Sequence, residues 1–560
     1  MPEQAKMSAH AHYSVLIIGA GINGCGTFRD LCLQGVDCLL IDRGDICCGA
    51  SAAPSRLIHG GIKYLETNEF RLVRESAMER NRLLRNAPHF VKALETVLPA
   101  RSWLAGLTPA VLNFLGFKAK LKERGALLIE IGLRIYDAYS RKVQALPDHR
   151  FFNTATLRRE HPALASDIIA AGVYYEGRVT HAERLGLELV QDGLAACSTS
   201  RASTYTRVAG RADGQMLTLE DTISGTTYNV SADVIINAGG AWIDKVNAGL
   251  GISSAHMGGS KGSHVIVNNK DLIAALNDRM MYFGTSDGRF NLAYPFFGNA
   301  LIGATDIAIK DPDQAICSVE ETDYMLASVS EIFPGIKLSR RDVILTYCGV
   351  RPLPRSDGVD MGSVSRDHAI ARDIVPGSDI PVLSLIGGKW TTFRAFSEQT
   401  CDAVLSMLGK TRKISTEDLP IGGGRDYPRD DMARDAFAET LQPLSRDRAR
   451  FLLERYGTQA RALQSFMART DDRPLASLPG YSSAEIAYIC THENVRRLAD
   501  LLLRRTAIAM EGLLSPAVIH ETAAIAAPIL KWDELRKTAE IENAEAEFAR
   551  RRVPQPSAGG

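Results

Sequence analysis

An α/β fold built on a discontinuous, Rossmann-like sheet is predicted for this 560-residue chain, and three features predict it. A short β-branched run, Ser14–Ala20, leads straight into Gly19-Ala20-Gly21-Ile22-Asn23-Gly24 and then into a helical stretch from Cys25 to about Gln34. Two later apolar runs, Asp233–Asn237 and Pro381–Ile386, also end in a double glycine. Beyond Gly422-Gly423-Gly424 apolar residues recur at three- and four-residue spacing, the period of packed helices.

Taken in order, the opening run has the composition of a strand covered on both faces. In the G-x-G-x-x-G turn the first glycine permits the tight bend, the second lets a pyrophosphate approach the backbone, and the third lets helix pack on sheet. The free N–H groups and dipole of the helix N-terminus favour that anion. Gly35 ends the helix, and Val36–Asp42 is a second strand closing on an acid. That acid stands about 18 residues beyond Gly24, suited to the hydroxyls of an adenosine ribose. Gly19, Gly21, Gly24 and Asp42 are therefore expected to hold a dinucleotide. The later strands run into Ala238-Gly239-Gly240-Ala241-Trp242 and Gly387-Gly388-Lys389-Trp390-Thr391-Thr392, where paired glycines again admit a ligand close to the backbone. Turns so far apart in the chain point to one large cofactor gripped by discontinuous segments, FAD rather than a nicotinamide nucleotide.

Composition narrows the function classes. Lysine plus arginine and aspartate plus glutamate both number 65, so no global field draws the chain to nucleic acid, and any basic site must be local. With 45% hydrophobic and 23% charged residues, disordered, collagenous and disulfide-stapled classes are excluded. The ten cysteines read as free thiols in a reducing compartment. No His-x-x-x-His or Cys-x-x-Cys spacing occurs, and no metal site is expected. The first dozen residues lack a signal pattern, and no uncharged apolar run reaches the ~18 residues of a spanning helix. A cytoplasmic protein, or one at the cytoplasmic face of the membrane, is expected.

The chain resembles the FAD-dependent, quinone-linked, aerobic-type glycerol-3-phosphate dehydrogenases from about Tyr13 to about Leu513. The resemblance rests on Ser55-Arg56-Leu57-Ile58-His59-Gly60-Gly61-Ile62-Lys63-Tyr64-Leu65-Glu66 with Glu69-Phe70-Arg71-Leu72-Val73, on Lys261-Gly262-Ser263-His264, Gly303-Ala304-Thr305-Asp306, Tyr347-Cys348-Gly349-Val350-Arg351-Pro352-Leu353, Ser365-Arg366-Asp367 and Gly387-Gly388-Lys389. It implies an FAD domain carrying an antiparallel-sheet substrate domain and a helical C-terminal domain. On that outline the FAD domain takes 1–85, 166–262 and 345–410, the substrate domain 86–165 and 263–344, the helical domain 411–552, and a disordered tail 553–560. Departures are Lys63 where the family has arginine, Val179–Leu185 where it has paired aspartates, Asp42 where it has glutamate, and a longer segment between Pro99 and Ile131.

The implied reaction is oxidation of sn-glycerol 3-phosphate to dihydroxyacetone phosphate, with quinone as acceptor. It requires hydride transfer from carbon to flavin N5 while a base accepts the hydroxyl proton. Arginine suits the phosphate dianion through its bidentate fork. The resemblance makes His264, Arg351 and Lys389 the candidate catalytic residues, with Lys63, Tyr64 and Arg366 added for substrate binding. An ordinary imidazole pKa near 6.5 would fit His264 for proton transfer. Around the flavin, Ser51, Ser55, Arg56, His59, Gly60, Gly239, Gly240, Trp242, Gly387, Gly388, Lys389 and Thr391 are expected to line the cofactor. Another polyol phosphate, such as erythritol phosphate, is the rival substrate because of Lys63 and the missing aspartates. A non-catalytic FAD-binding protein is the rival of a different class. Finally, the uncharged run Trp103–Phe117 followed by Lys118, Lys120, Lys122, Glu123 and Arg124 reads as a peripheral membrane contact.

Overall fold

Strand pairing divides the chain between two sheets. In the computed structural model, which describes residues 10–62, 69–106, 124–140, 145–212, 216–355 and 367–554, the first sheet runs His368–Ile374, Pro381–Gly387, Thr227–Asn237, His10–Ile18, Cys38–Ile41, Arg201–Ser203. Its four central strands and Arg201–Ser203 are parallel, and a hairpin, Thr206–Arg211 with Leu217–Asp221, pairs antiparallel to Thr227–Asn237. Alternation along the first strand sends Val15 and Ile17 into one buried cluster and Leu16 and Ile18 into the other. Each such side chain contributes about 1.5–3 kcal/mol on burial. The helices Ile22–Leu33, Ala182–Ala196 and Phe393–Met407 cover one face, their apolar stripes closing on Val15, Ile17 and Leu40. The expected helix after the glycine turn is thus present, beginning three residues earlier.

The second sheet runs Ile307–Ala308, Ser260–Val267, Asn299–Gly303, Phe290–Phe296, Met280–Gly284, Val91–Ala100, Ala170–Val179, Leu57–Ile58. Val343–Arg351 pairs with Ser260–Val267, and Arg150–Asn153 with Ala170–Val179. Every pairing is antiparallel except the short parallel contact of Met280–Met281 with Thr96–Val97. Phe290–Phe296 and Asn299–Gly303 form a hairpin, with Phe297 and Gly298 at positive φ in a two-residue turn.

One expectation needs correcting. Leu57–Ile58, Ala170–Val179 and all but the first two residues of Val343–Arg351, which fall in segments expected in the FAD domain, belong to the second sheet. Ten residues of Ala170–Val179 pair with Val91–Ala100, a ladder that outweighs proximity in sequence. The border between the sheets is therefore crossed by three strands, and the residues beside those crossings lie where the sheets meet.

The C-terminal region is helical as expected. Asp430, Ser445, Ser482, Ser515 and Asp533 each cap a helix by accepting an N–H three residues on. Asp533 sets the start of the last helix at Glu534. That helix buries Glu540, Ala544 and Phe548. Val553, expected in a disordered tail, is buried, and 555–560 lie outside the described residues. Buried ion pairs fasten this region to the first sheet: Asp45 accepts from Arg504 at 2.6 Å and Arg505 at 2.7 Å, and Arg184 pairs with Glu493 at 2.7 Å.

Candidate active site

The three glycine turns meet at the C-terminal ends of the parallel strands. A Cβ on Gly24 would lie 1.9 Å from the Gly19 carbonyl oxygen, and one on Gly19 2.5 Å from that of Ala238, so turn, helix and second strand are in mutual contact. Gly21 is the extended residue before the helix, with no side-chain cap of its own. Instead the Ile22 N–H donates to Ser51 Oγ at 2.9 Å, bringing a second polar group to the helix N-terminus. Asp42 follows the second strand. Its two oxygens accept from the Ala20 and Gly44 N–H groups at 2.7 and 2.8 Å, which fixes the carboxylate at the turn, and burial raises its pKa. Asn237 ties the second turn by accepting from the Gly239 N–H and donating to the Ile243 carbonyl. Gly240 has positive φ with open space where a Cβ would stand, and Trp242 lies against Gly49 under the Arg43 guanidinium. Open glycine backbone, a helix N-terminus with a serine hydroxyl and an acid at the strand end are what a flavin dinucleotide requires, and the residues present fit FAD.

The loop after Ser51 is clamped from both sides. Thr391 Oγ1 accepts from the His59 N–H at 3.1 Å and donates to the His59 carbonyl at 3.2 Å. The next amide, Gly60 N–H, donates to Glu176 at 3.0 Å. Glu176 also accepts from Tyr136 Oη at 3.0 Å and Arg80 at 3.1 Å, and burial raises its pKa against these partners. A Cβ on Gly60 would meet Tyr136 Oη at 2.0 Å, so only glycine fits beneath that ring. Trp390 Nε1 donates to the Ser51 carbonyl, and Lys389, buried, donates Nζ to Ser76 Oγ at 3.1 Å. The third turn thus reaches both the loop and the helix Phe70–Asn86.

Opposite this loop stands one face of the second sheet. Ser260, Gly262 and His264 alternate on their strand, and their partners Arg351, Gly349 and Tyr347 lie directly across. The Arg351 guanidinium rests on Gly262, where a Cβ would be 2.2 Å from Nη2, and the His264 ring rests on Gly303, with Cδ2 at 2.2 Å from such a Cβ. Glycine therefore floors both side chains. Arg351 Nη1 pairs with Asp306 at 3.1 Å and Nη2 donates to the Thr305 carbonyl at 3.0 Å, fixing its plane. Behind the strand, Glu321 accepts from Ser263 Oγ at 2.8 Å and Thr305 Oγ1 at 2.6 Å. Ala53 packs against Gly349, holding the FAD-domain loop on this face.

His264 is nearly inaccessible and stacks on Tyr347 with ring centroids 4.9 Å apart. Its Nε2 meets Ser55 Oγ at 2.8 Å, and its buried Nδ1 has no hydrogen-bond partner. Burial first, then Arg351 and Arg56, push its pKa down to about 3, so it is neutral well below the ordinary imidazole range. This differs from the sequence expectation of a value near 6.5, because the fold buries the ring first of all and adds the positive charge of Arg351 and Arg56.

Arg56 also departs from expectation. Its guanidinium is enclosed, bidentate on Glu183 at 2.7 and 2.5 Å, with further bonds to the Ala52 and Thr180 carbonyls. It braces the loop from within rather than facing a cofactor, and its positive φ bends the chain there. Ser55, expected along the flavin, is bonded to His264. Lys63, Tyr64 and Arg366 lie outside the described residues. Sequence reasoning missed Glu176, Glu183 and Tyr136. A lone acid within the apolar strand Ala170–Val179 was the available signal for the first. Glu321 carried another, as the fourth residue of a Ser-x-x-Glu capping box.

Comparison with known proteins places these features among relatives. Residues 14–378 match the family model described as FAD dependent oxidoreductase, and 414–537 match the C-terminal domain of alpha-glycerophosphate oxidase. A glycerol-3-phosphate dehydrogenase of Synechocystis is 33% identical, covering 89% of each chain. The D-erythritol 1-phosphate dehydrogenase of Brucella abortus is 29% identical over 92% of this chain and 97% of its own. The fold resembles the glycerol-3-phosphate dehydrogenase from Bacillus halodurans complexed with FAD, with a TM-score of 0.75, 23% identity and coverage of 99% and 97%.

Proposed function

The chain belongs to the FAD-dependent glycerol-3-phosphate dehydrogenase family, and on that premise we propose that it oxidises sn-glycerol 3-phosphate to dihydroxyacetone phosphate and passes the electrons to quinone. When bound, FAD supplies the acceptor at N5 for hydride from the carbinol carbon. The observation that carries the reading is the pairing of Arg351 and His264 on one glycine-floored face, directly opposite the FAD-domain loop.

Arg351 offers the phosphate a guanidinium whose plane Asp306 and the Thr305 carbonyl have already set, so little side-chain freedom is lost on binding. Lys389 adds positive charge from the third glycine turn, and the family resemblance implies Lys63, Tyr64 and Arg366 as further substrate-binding residues. Neutral His264 accepts the hydroxyl proton at Nε2. The Ser55 hydroxyl, less buried than the ring and bonded to that nitrogen, relays it: Oγ receives the substrate proton as its own passes to Nε2. The imidazolium so formed is offset by the phosphate dianion held at Arg351.

Two surface features support docking at the cytoplasmic face of a membrane. Helix Ala126–Ser140 exposes Leu127, Ile131 and Ile135 at four-residue spacing, and its first turn is bonded to the backbone at Trp103, which is exposed beside Leu104. No helix among the described residues is long and apolar enough to cross a bilayer. The basic cluster expected to follow Phe117 falls largely outside the described residues.

A second reading, oxidation of erythritol phosphate, is favoured by Lys63 and by the extent of the match to the Brucella abortus enzyme. Anaerobic bleaching of the flavin absorbance decides. Glycerol 3-phosphate is expected to bleach it rapidly and a quinone analogue to restore it. Bleaching by the four-carbon phosphate alone establishes the second reading, and a spectrum that no polyol phosphate alters shows a flavin-binding protein without this chemistry. Stoichiometric peroxide in air would replace quinone by oxygen.

A further inference from the structure

Lys92 and Arg178 are direct cross-strand partners on Val91–Ala100 and Ala170–Val179, an arrangement that like charges disfavour. Among the described residues neither forms an ion pair. Lys92 Nζ donates to Tyr427 Oη at 3.3 Å, and Arg178 donates Nη1 to the Pro295 carbonyl at 3.3 Å while its buried Nε has no hydrogen-bond partner. A third cation, Arg434 on the C-terminal helix Asp431–Glu439, acts on Lys92 from the other side. Its Nη1 meets Asp431 at 3.1 Å and its Nη2 the Arg429 carbonyl at 3.4 Å, but its Nε too is buried and unpartnered. Burial and these two guanidinium groups push the Lys92 ammonium down to about 8, opposed by the exposed carboxylate of Glu454. Tyr427 closes the place, its ring 5.1 Å from Lys92 Nζ.

Three cations and a phenol thus gather where the second sheet meets the helical domain, and two of the three keep a buried, unpartnered Nε–H. Clustered cations with perturbed ionisation mark a candidate binding site. We propose that Lys92, Arg178, Tyr427 and Arg434 form an oxyanion site for a phosphoryl group, either inorganic phosphate or a small phosphate monoester. A tetrahedral dianion presents the several acceptors that donors on three separate elements need, which chloride or a single carboxylate does not. The site uses none of the residues of the Arg351 and Lys389 site, and it adjoins the loop that carries Ser55. Arg178 is also the cross-strand partner of Leu57, and the neighbouring Val179 N–H donates to the Arg56 carbonyl, beside Ser55.

The test uses the FAD-loaded full chain in phosphate-free buffer, with inorganic phosphate as probe in equilibrium dialysis and thermal melting. Wild type is expected to take up two phosphates per chain, one at each site, while Lys92→Gln and Arg351→Ala each take up one. Without phosphate, Lys92→Gln is expected to melt above wild type because repulsion is removed, and the difference closes as phosphate is added. Lys92→Arg, retaining the charge, should keep binding within a few-fold. Ethyl phosphate in place of phosphate identifies which form binds more tightly. The proposal is overturned if Lys92→Gln and Arg178→Gln bind as many phosphates as wild type, or if Lys92→Gln melts no higher than wild type without phosphate.

Discussion

Replacing Arg351 by lysine keeps the charge and removes the planar fork. Loss of one charge-assisted bond, about 1.5–3 kcal/mol, should lower kcat/KM by about 10- to 150-fold. Since the phosphate is held equally before and during the reaction, the loss should appear in KM with kcat little changed. Steady-state kinetics check this, and a collapse of kcat at constant KM would place Arg351 in the chemistry itself. His264 makes a second prediction. With its pKa near 3 in the free protein, it stays in the accepting form throughout the neutral range, so the kcat/KM profile should show no inflection from it near pH 6.5. Any inflection near 6 belongs to the second ionisation of the substrate phosphate and should persist in His264→Asn. These residues, with Lys389 and the turn glycines, were legible because each sits in a local motif. The Ser55–His264 and Arg56–Glu183 contacts were not, since 209 and 127 residues separate the partners and only the crossing of the sheets brings them together.

Helix Ala126–Ser140 joins two surfaces of different character. One side carries the exposed Leu127, Ile131 and Ile135, while from the other Tyr136 reaches Gly60 and Glu176 beside the flavin loop. Tyr136→Phe removes the hydroxyl that Arg80 and Glu176 share. It should destabilise the protein by about 1–3 kcal/mol and speed FAD release, measured by urea unfolding and by flavin fluorescence on dilution. Unchanged release with the same loss of stability would show that the clamp acts only on the fold. Strands and helices of this kind were foreseen from periodicity and caps. Sheet membership was not, because period two is the same in either sheet and register is settled by the partner strand. Leu57–Ile58 and Val343–Arg351 carry no local mark of which sheet they join.

For the whole molecule, buried charge sets the response to acid. His264 and His181 are held neutral, with pKa values below that of the unfolded chain, so between roughly pH 6.5 and those native values the unfolded state binds more protons. Their contribution to stability should fall as pH drops below about 6.5, while Asp42 and Glu176, whose pKa values burial raises, contribute in the opposite sense. Asp45, held below its ordinary pKa between Arg504 and Arg505, adds stability above about pH 3.9 that is lost as pH falls through its native value. The part of any decline in melting temperature between about pH 6.5 and pH 4.5 that these histidines cause should be lost in the His181→Asn, His264→Asn double variant. Asp45→Asn leaves two buried guanidinium groups uncompensated and should cost about 3–5 kcal/mol in urea unfolding. The α/β class and the helical C-terminal region were readable from three glycine turns and a change of periodicity. The electrostatic joints between the parts were not, as Asp45 and Arg505 look like ordinary solvated charges when read singly.

The Asp45 pairing also bears on how the gene can be shortened. Asp45 stands three residues beyond Asp42, so the arginines that neutralise it come from the C-terminal helical region to the loop beside the proposed nucleotide-binding turn. A fragment ending at residue 410 would retain every dehydrogenase motif yet leave a bare carboxylate three residues beyond Asp42, and such a piece should purify without its yellow colour.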